Sequence, residues 1–177
     1  ERYAGPGDVL LVTKARPARA HKGDFGRLLA IGGSEVFSGA PTLVSLAALR
    51  TGVDIAYLAA PAKTARAISS MSPDLITLKL EGNHLNPSNM TALKSYVEMV
   101  DAVALGPGLG LHPETKEFVK ACVSAVENAG KPLLLDADGL KAFAEFKKPL
   151  KVPFVLTPHA GEYAILTGRK LSDSLEE

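Results

Sequence analysis

Cys122 is the only cysteine in the 177-residue chain, so no internal disulfide can form and no oxidising compartment is called for. Charge of either sign is not in excess. Lys and Arg number 20 against 19 Asp and Glu, a formal net charge of +1. That balance removes the usual electrostatic reason for nucleic acid or an anionic membrane as a main partner. No apolar run reaches the ~18 residues that a membrane-spanning helix needs, and the N-terminus carries no signal-peptide pattern. Several catalytic signatures are missing too. There is no G-x-x-x-x-G-K-[ST] segment, which excludes a P-loop enzyme on motif grounds. There is no G-x-S-x-G elbow, and His21, His84 and His112 fall in unrelated polar stretches without zinc spacing. Cys122 sits among Phe118, Val119, Val123 and Val126 at helical spacing, which makes it a small core residue rather than a nucleophile. With 46% hydrophobic and 22% charged residues, the expectation is a soluble cytoplasmic domain with a sizeable core.

What the chain does have is glycine at regular intervals after apolar runs. Leu28-Leu29-Ala30-Ile31 reads as a strand covered on both faces, followed by Gly32-Gly33-Ser34 and an apolar helix. Such a loop can cradle an anion against a helix N-terminus, or it can be a tight turn with no ligand. Before it, residues 1–25 read as a lead-in segment or linker in which Val9-Leu10-Leu11-Val12 is an edge-strand candidate. Lys22, in His21-Lys22-Gly23-Asp24, could reach a phosphate or simply be solvated.

From residue 41 the pattern alternates. Helices are predicted over 42–50 (Leu43, Leu46, Ala47 and Leu49 inward), from Pro61 to about 70, and over 89–99, 114–128, 139–146 and 159–166. Strands are predicted over 53–59, 75–80, 102–105, 133–135 and 154–156. Strand, loop and helix repeated in this way give an α/β fold: a three-layer αβα arrangement around a mostly parallel, doubly wound sheet. Ligands in such folds bind at the strand carboxyl ends. Those ends collect Gly32-Gly33-Ser34, Gly106-Pro107-Gly108-Leu109-Gly110, Asp136-Ala137-Asp138 and Thr157-Pro158-His159-Ala160-Gly161-Glu162.

Each group has two readings. Gly106 to Gly110 is G-x-G-x-G, whereas the dinucleotide fingerprint is G-x-G-x-x-G, and position 111 is leucine. A Rossmann oxidoreductase is therefore an alternative, with Asp136 imitating the ribose-binding acid. Asp136 could hold Mg²⁺ through waters or orient a ligand hydroxyl, and it has no evident local task. Asp138 is expected to cap the helix that follows. His159 either bonds a ligand or is a satisfied structural histidine, and Glu162 either meets a ligand or closes a helix cap.

His21-Lys22-Gly23-Asp24-Phe25-Gly26, Gly32-Gly33-Ser34 with Ser38-Gly39-Ala40, Leu105 to Gly110, Leu135 to Leu140 and Thr157 to Glu162 occur together and in this order. In them the chain resembles the ADP/ATP-dependent NAD(P)H-hydrate dehydratases of the ribokinase-like superfamily. The resemblance implies a metabolite-repair lyase. ADP or ATP, as co-substrate with Mg²⁺, would phosphorylate the C6 hydroxyl of hydrated NADH or NADPH, and phosphate would then be eliminated. It implies that Ala40, Gly108 and His159 contact the hydrated nicotinamide nucleotide and that Gly106 and Asp136 line the same cleft. Lys22, Gly33, Ser34 and Glu162 are the candidate nucleotide or phosphate contacts. It also implies a homo-oligomer and, in many relatives, an epimerase domain fused upstream.

Family members continue through a lysine-glycine segment to a Gly-[Thr/Ser]-Gly-Asp helix start. Its amides form an anion hole, worth several kcal/mol of barrier reduction, and its aspartate is the base. Neither block precedes Leu175-Glu176-Glu177. Residues 26–177 are accordingly expected to be the N-terminal part of a dehydratase domain, inactive by itself, with its catalytic aspartate past residue 177. Rival expectations are a small-molecule kinase of the hydroxyethylthiazole or pyridoxal type, the Rossmann oxidoreductase, and a non-catalytic binding fragment.

Overall fold

The computed structural model describes residues 5–13 and 15–171; positions 172–177 of the predicted domain lie outside the described residues. Among the described residues six strands form one sheet: β1 (Arg27–Ile31), β2 (Ile55–Pro61), β3 (Ile76–Leu80), β4 (Ala102–Leu105), β5 (Leu133–Leu135) and β6 (Phe154–Leu156). All pairings are parallel, in the order β3-β2-β1-β4-β5-β6. The helices are α1 (Pro6–Val12), α2 (Gly39–Arg50), α3 (Ala62–Ser69), α4 (Met90–Met99), α5 (Pro113–Asn128), α6 (Asp138–Phe146) and α7 (Ala160–Thr167).

Alternation along the strands sorts the apolar side chains between two cores. Leu29, Ile31, Val103, Leu105, Leu133 and Leu135 point to the face covered by α4, α5 and α6. There α5 supplies Phe118, Val119, Cys122, Val123 and Val126, all fully buried. Each such apolar side chain contributes about 1.5–3 kcal/mol of transfer free energy. Burial pushes the Cys122 thiol up to about 12, so it stays protonated and inert, as its helical spacing foretold. On the opposite face Leu58 and Ala60 pack under Ala65, Ile68 and Leu75, flanked by Leu46 and Leu49. That second layer covers only the β1–β3 side. Over β4–β6 the described residues supply no helix, and Leu28, Val44, Leu134 and Val155 border a concavity of about 430 Å³. Among the described residues no helix is long and apolar enough to cross a membrane.

Three local expectations change. Val9–Val12 is helix, not strand. Pro6 stands at its first turn, and the Asp8 carboxylate accepts from the Gly5 amide at 2.7 Å, a start signal that outweighs a short apolar run. In α2, Leu43 and Ala47 face solvent while Pro41, Thr42 and Ser45 are buried. Thr42 and Ser45 bury cheaply because their hydroxyls donate to Ser38 O at 2.8 Å and Pro41 O at 3.0 Å. Finally, β2 begins two residues late. Asp54 is held in a turn, its carboxylate accepting from the Gly23 and Phe25 amides at 2.9 and 3.0 Å. Those bonds, Phe25 first, and the nearby Arg16 hold the Asp54 carboxyl below its ordinary value.

Candidate functional site

The strand order reverses between β1 and β4, so chain leaving those strands diverges and opens a crevice at their carboxyl ends. The two glycine loops lie there and grip each other. The Gly33 amide donates to Pro107 O at 2.9 Å. A Cβ on Gly32 would come within 2.3 Å of that same carbonyl oxygen. Gly106, at φ +135°, leaves room for the next strand end, since a Cβ there would lie 1.8 Å from Asp136 O. Gly108 faces Phe37, whose Cβ a side chain would meet at 2.9 Å. The space freed by these glycines is thus filled by neighbouring loops, a correction to the simpler picture of a loop opened for a ligand's close approach. Ser34 serves the same packing: its carbonyl accepts from Thr64 Oγ1 at 2.7 Å, and its hydroxyl accepts weakly from the Phe37 amide at 3.4 Å. Beside it Gly39 and Ala40 are exposed in the first turn of α2, where Ser38 makes no side-chain cap. The first-turn N–H groups therefore face outward with the positive end of the helix dipole.

At the β5 end, Asp136 is half-buried, and its Oδ1 accepts from Thr157 Oγ1, which follows β6, at 2.8 Å. Asp138 is not the cap expected of it. It is the first residue of α6, and its carboxylate accepts from the Gly110 amide and from Lys141 Nζ, both at 2.9 Å. The hydrogen bond to Asp138 raises the Lys141 pKa. The cap position belongs to Ala137 at φ +50°, the one non-glycine residue with positive φ among the described residues. That turn lays the Asp136 carbonyl across Gly106.

His159 and Glu162 form a reciprocal cap on α7. Nδ1 of His159 accepts from the Gly161 and Glu162 amides at 3.0 and 3.4 Å, and Glu162 accepts from the His159 amide at 3.2 Å. The Glu162 side chain is 4% exposed and its Oε1 stands 3.3 Å from His159 Nε2, whereas the imidazole is 70% exposed and can exchange that long contact for solvent or a ligand. The capping and ligand readings of His159 are therefore compatible; Glu162 is enclosed.

The structure gathers Gly33, Ser34, Ala40, Gly106, Gly108, Asp136, His159 and Glu162 on this one edge. It does not bring Lys22 to them. Lys22 lies by Asp54, Ile55 and Asp74, at the amino ends of the strands, the opposite edge of the sheet from the crevice. Sequence reasoning missed the Asp136–Thr157 bond and the Lys141–Asp138 pair, although a lysine at i+3 was a readable signal for the latter. It also treated His84 and His112 as unrelated, whereas their rings stack at 3.7 Å.

The model of one protein family, the NAD(P)H-hydrate dehydratases, matches residues 28–177. A "Bifunctional NAD(P)H-hydrate repair enzyme Nnr" of Pyrobaculum aerophilum is 46% identical over the whole chain. The chain spans 35% of that relative's length. Among solved structures, the ADP/ATP-dependent NAD(P)H-hydrate dehydratase of Bacillus subtilis, co-crystallised with ATP/Mg²⁺, superposes with a TM-score of 0.71 at 28% identity. The superposition covers 92% of this chain and 54% of that one. A ribokinase-like superfamily protein of Enterococcus faecalis gives a TM-score of 0.79 at 24% identity, over 95% of this chain and 60% of that one, a likeness of fold.

Proposed function

The chain belongs to the NAD(P)H-hydrate dehydratase family, and on that premise we propose that its strand-end edge is the substrate wall of an enzyme restoring hydrated NADH or NADPH. The observation that carries this reading is the convergence of four strand ends of the right chemistry at the switch point between β1 and β4. A phosphoryl group from ADP or ATP passes to the C6 hydroxyl oxygen of the hydrated ring. The C6–O bond then breaks, phosphate leaves with the electron pair, and a ring proton is lost to re-form the dihydropyridine.

Residues on this edge bind and orient. The open first turn of α2 at Gly39-Ala40 presents N–H groups to the nucleotide, and Gly108 keeps the approach beside Phe37 low. The exposed His159 imidazole turns its Nε2 away from the 3.3 Å contact with Glu162 and donates to an amide or hydroxyl oxygen of the substrate. Asp136, with one carboxylate oxygen held by Thr157, presents the other to the cleft. A single carboxylate suits Mg²⁺ that is held mainly by phosphates and water. Gly33, Ser34 and Glu162 shape the wall through their internal bonds, and Lys22 lies outside it. We further propose that the full-length protein assembles as a homo-oligomer in the cytoplasm and carries an epimerase activity beside this one, as the relative's name "bifunctional" suggests for that protein.

The Rossmann alternative fits less well, although the strand order alone would allow it. Gly106 and Gly108 are filled by Asp136 and Phe37, and α5 starts only at Pro113, so the loop does not run straight into a helix N-terminus. The decisive assay gives the full-length protein hydrated NADH with ADP or ATP and follows near-ultraviolet absorbance and phosphate release together. Nucleotide-dependent recovery of the dihydropyridine, one phosphate per turnover, is the expected result. A stable phosphorylated product of a vitamin precursor instead would replace this reading with a kinase. Hydride transfer without nucleotide dependence would favour the oxidoreductase, and no turnover would leave a binding protein.

A further inference from the structure

His84 follows β3, and His112 and Glu114 flank the start of α5; the fold joins these loops at the rim of the sheet's carboxyl edge. One ligand atom from each of the three side chains lies within 4.8 Å of the others. His84 Nε2 and Glu114 Oε2 are 2.6 Å apart. His112 stacks on His84 with ring centroids 3.7 Å apart. The frame beneath them is fixed. Thr115 Oγ1, which is buried, donates to Leu85 O at 2.9 Å and so ties the His84 loop to the first turn of α5. Asn89 Nδ2 donates to Glu81 O at 3.0 Å and holds the other side of that loop. Pro113 at the first helical position sets the chain between His112 and Glu114.

We propose that His84, His112 and Glu114 bind one divalent first-row transition-metal ion, with zinc the best match, at a site separate from the nucleotide edge. Two imidazoles and a carboxylate are a donor set for zinc, nickel, cobalt or copper, whereas Mg²⁺ and Ca²⁺ take oxygen ligands. Zinc sits about 2.0–2.2 Å from such atoms, so tetrahedral ligands lie about 3.4 Å apart. The cluster reaches that spacing by lengthening the His84–Glu114 contact and turning the exposed His112 ring. Two bonds are given up, the 2.6 Å one between His84 Nε2 and Glu114 Oε2 and the long 3.3 Å one from the Glu114 amide to His112 Nδ1, and bonds to the ion replace them. Side-chain exposures of 30% for His84 and 60% for Glu114 leave a fourth position to water. The bound ion clips the loop after β3 to the loop after β4, and the proposal is independent of the dehydratase reading.

Equilibrium dialysis of the purified full chain against zinc, with Co²⁺ as a spectroscopic substitute, tests it. Uptake of one zinc ion per chain, a tetrahedral Co²⁺ spectrum and no competition from Mg²⁺ are expected. His84→Gln, His112→Gln and Glu114→Gln should each weaken uptake at least tenfold, while His21→Asn leaves it unchanged. Circular dichroism of each variant separates loss of the ligand from loss of the fold. Undiminished uptake in folded His84→Gln and His112→Gln variants would overturn the site, as would no uptake by the parent protein. So would one ion shared between two chains.

Discussion

At the ends of β1 and β4 the loops are held backbone to backbone, through Gly32, Gly33, Gly106 and Gly108. At the ends of β5 and β6 they are held by side chains, Asp136 to Thr157 and His159 to Glu162. The first half is defined by atoms that are absent, so adding even one methyl group strikes a carbonyl. The second half is defined by polar groups that keep an outward-facing atom, so a substitution there can alter ligand contacts and leave the scaffold standing. Recognition chemistry accordingly concentrates at β5 and β6, and shape at β1 and β4.

The sharpest break of this contrast is Gly106→Ala. The new Cβ falls 1.8 Å from Asp136 O at a φ of +135° that L-residues rarely adopt. Overlap with backbone cannot be relieved by a rotamer change, so a loss of at least about 4 kcal/mol is expected, at the extreme of single substitutions. Measured by urea denaturation, that removes much of a stability of typically 5–15 kcal/mol. A Tm unchanged by the substitution would show the two strand ends to be loosely coupled.

Gly32→Ala ranks next. Its φ is not in the left-handed region, so the penalty is overlap alone, with Pro107 O at 2.3 Å. Separating the two glycine loops by several tenths of an ångström should cost about 3 kcal/mol. Nucleotide affinity should fall further than stability alone accounts for, because the crevice wall itself moves. Equal melting curves for Gly32→Ala and the parent protein would contradict the packing role given to this loop.

His159 separates scaffold from chemistry at the β6 end. Asn caps helices as well as any residue, so His159→Asn should leave Tm within about 1 °C and remove the outward imidazole nitrogen. If that nitrogen meets the substrate, affinity for hydrated NADH falls about tenfold, or 1.4 kcal/mol. His159→Ala should add a stability loss of about 1 kcal/mol from the missing cap. Unchanged affinity in His159→Asn would reduce the histidine to a cap and move recognition elsewhere on the edge.

The sequence and the structure agree most closely where the signal is local. β4, β5 and β6 fall on their predicted residues because short apolar runs end abruptly at glycine, aspartate and threonine. The family blocks named Ala40, Gly106, Gly108, Asp136 and His159, and the fold carries them to one edge. Lys22 was misplaced because nearness in sequence to β1 says nothing of which end of the strand a residue abuts. His84 and His112 were missed for a related reason. They stand 28 positions apart in two loops, and only the parallel crossover brings β3 and β4 ends to one rim. Asp138 depended on a single dihedral, that of Ala137, which no pattern of residue types displays.

That dihedral supports the smallest prediction, and the one that sharpens the comparison most. Ala137 at φ +50°, ψ −123° occupies backbone space suited to glycine, in the turn that presses the Asp136 carbonyl onto Gly106. Holding an L-residue there costs of order 1–3 kcal/mol, while glycine costs roughly 0.5–1 kcal/mol in lost chain entropy. The difference favours Ala137→Gly by about 1 kcal/mol, visible as a rise of a few degrees in Tm. Strain at one residue is kept only where its surroundings over-determine it, and here the backbone-locked and side-chain-locked halves meet. If the strain sets where Asp136 points, relieving it should stabilise the fold yet weaken substrate affinity, the two effects opposed in sign. A gain in stability with affinity intact would show that the glycine lock alone positions Asp136, and that the β5 end belongs with the scaffold rather than with recognition.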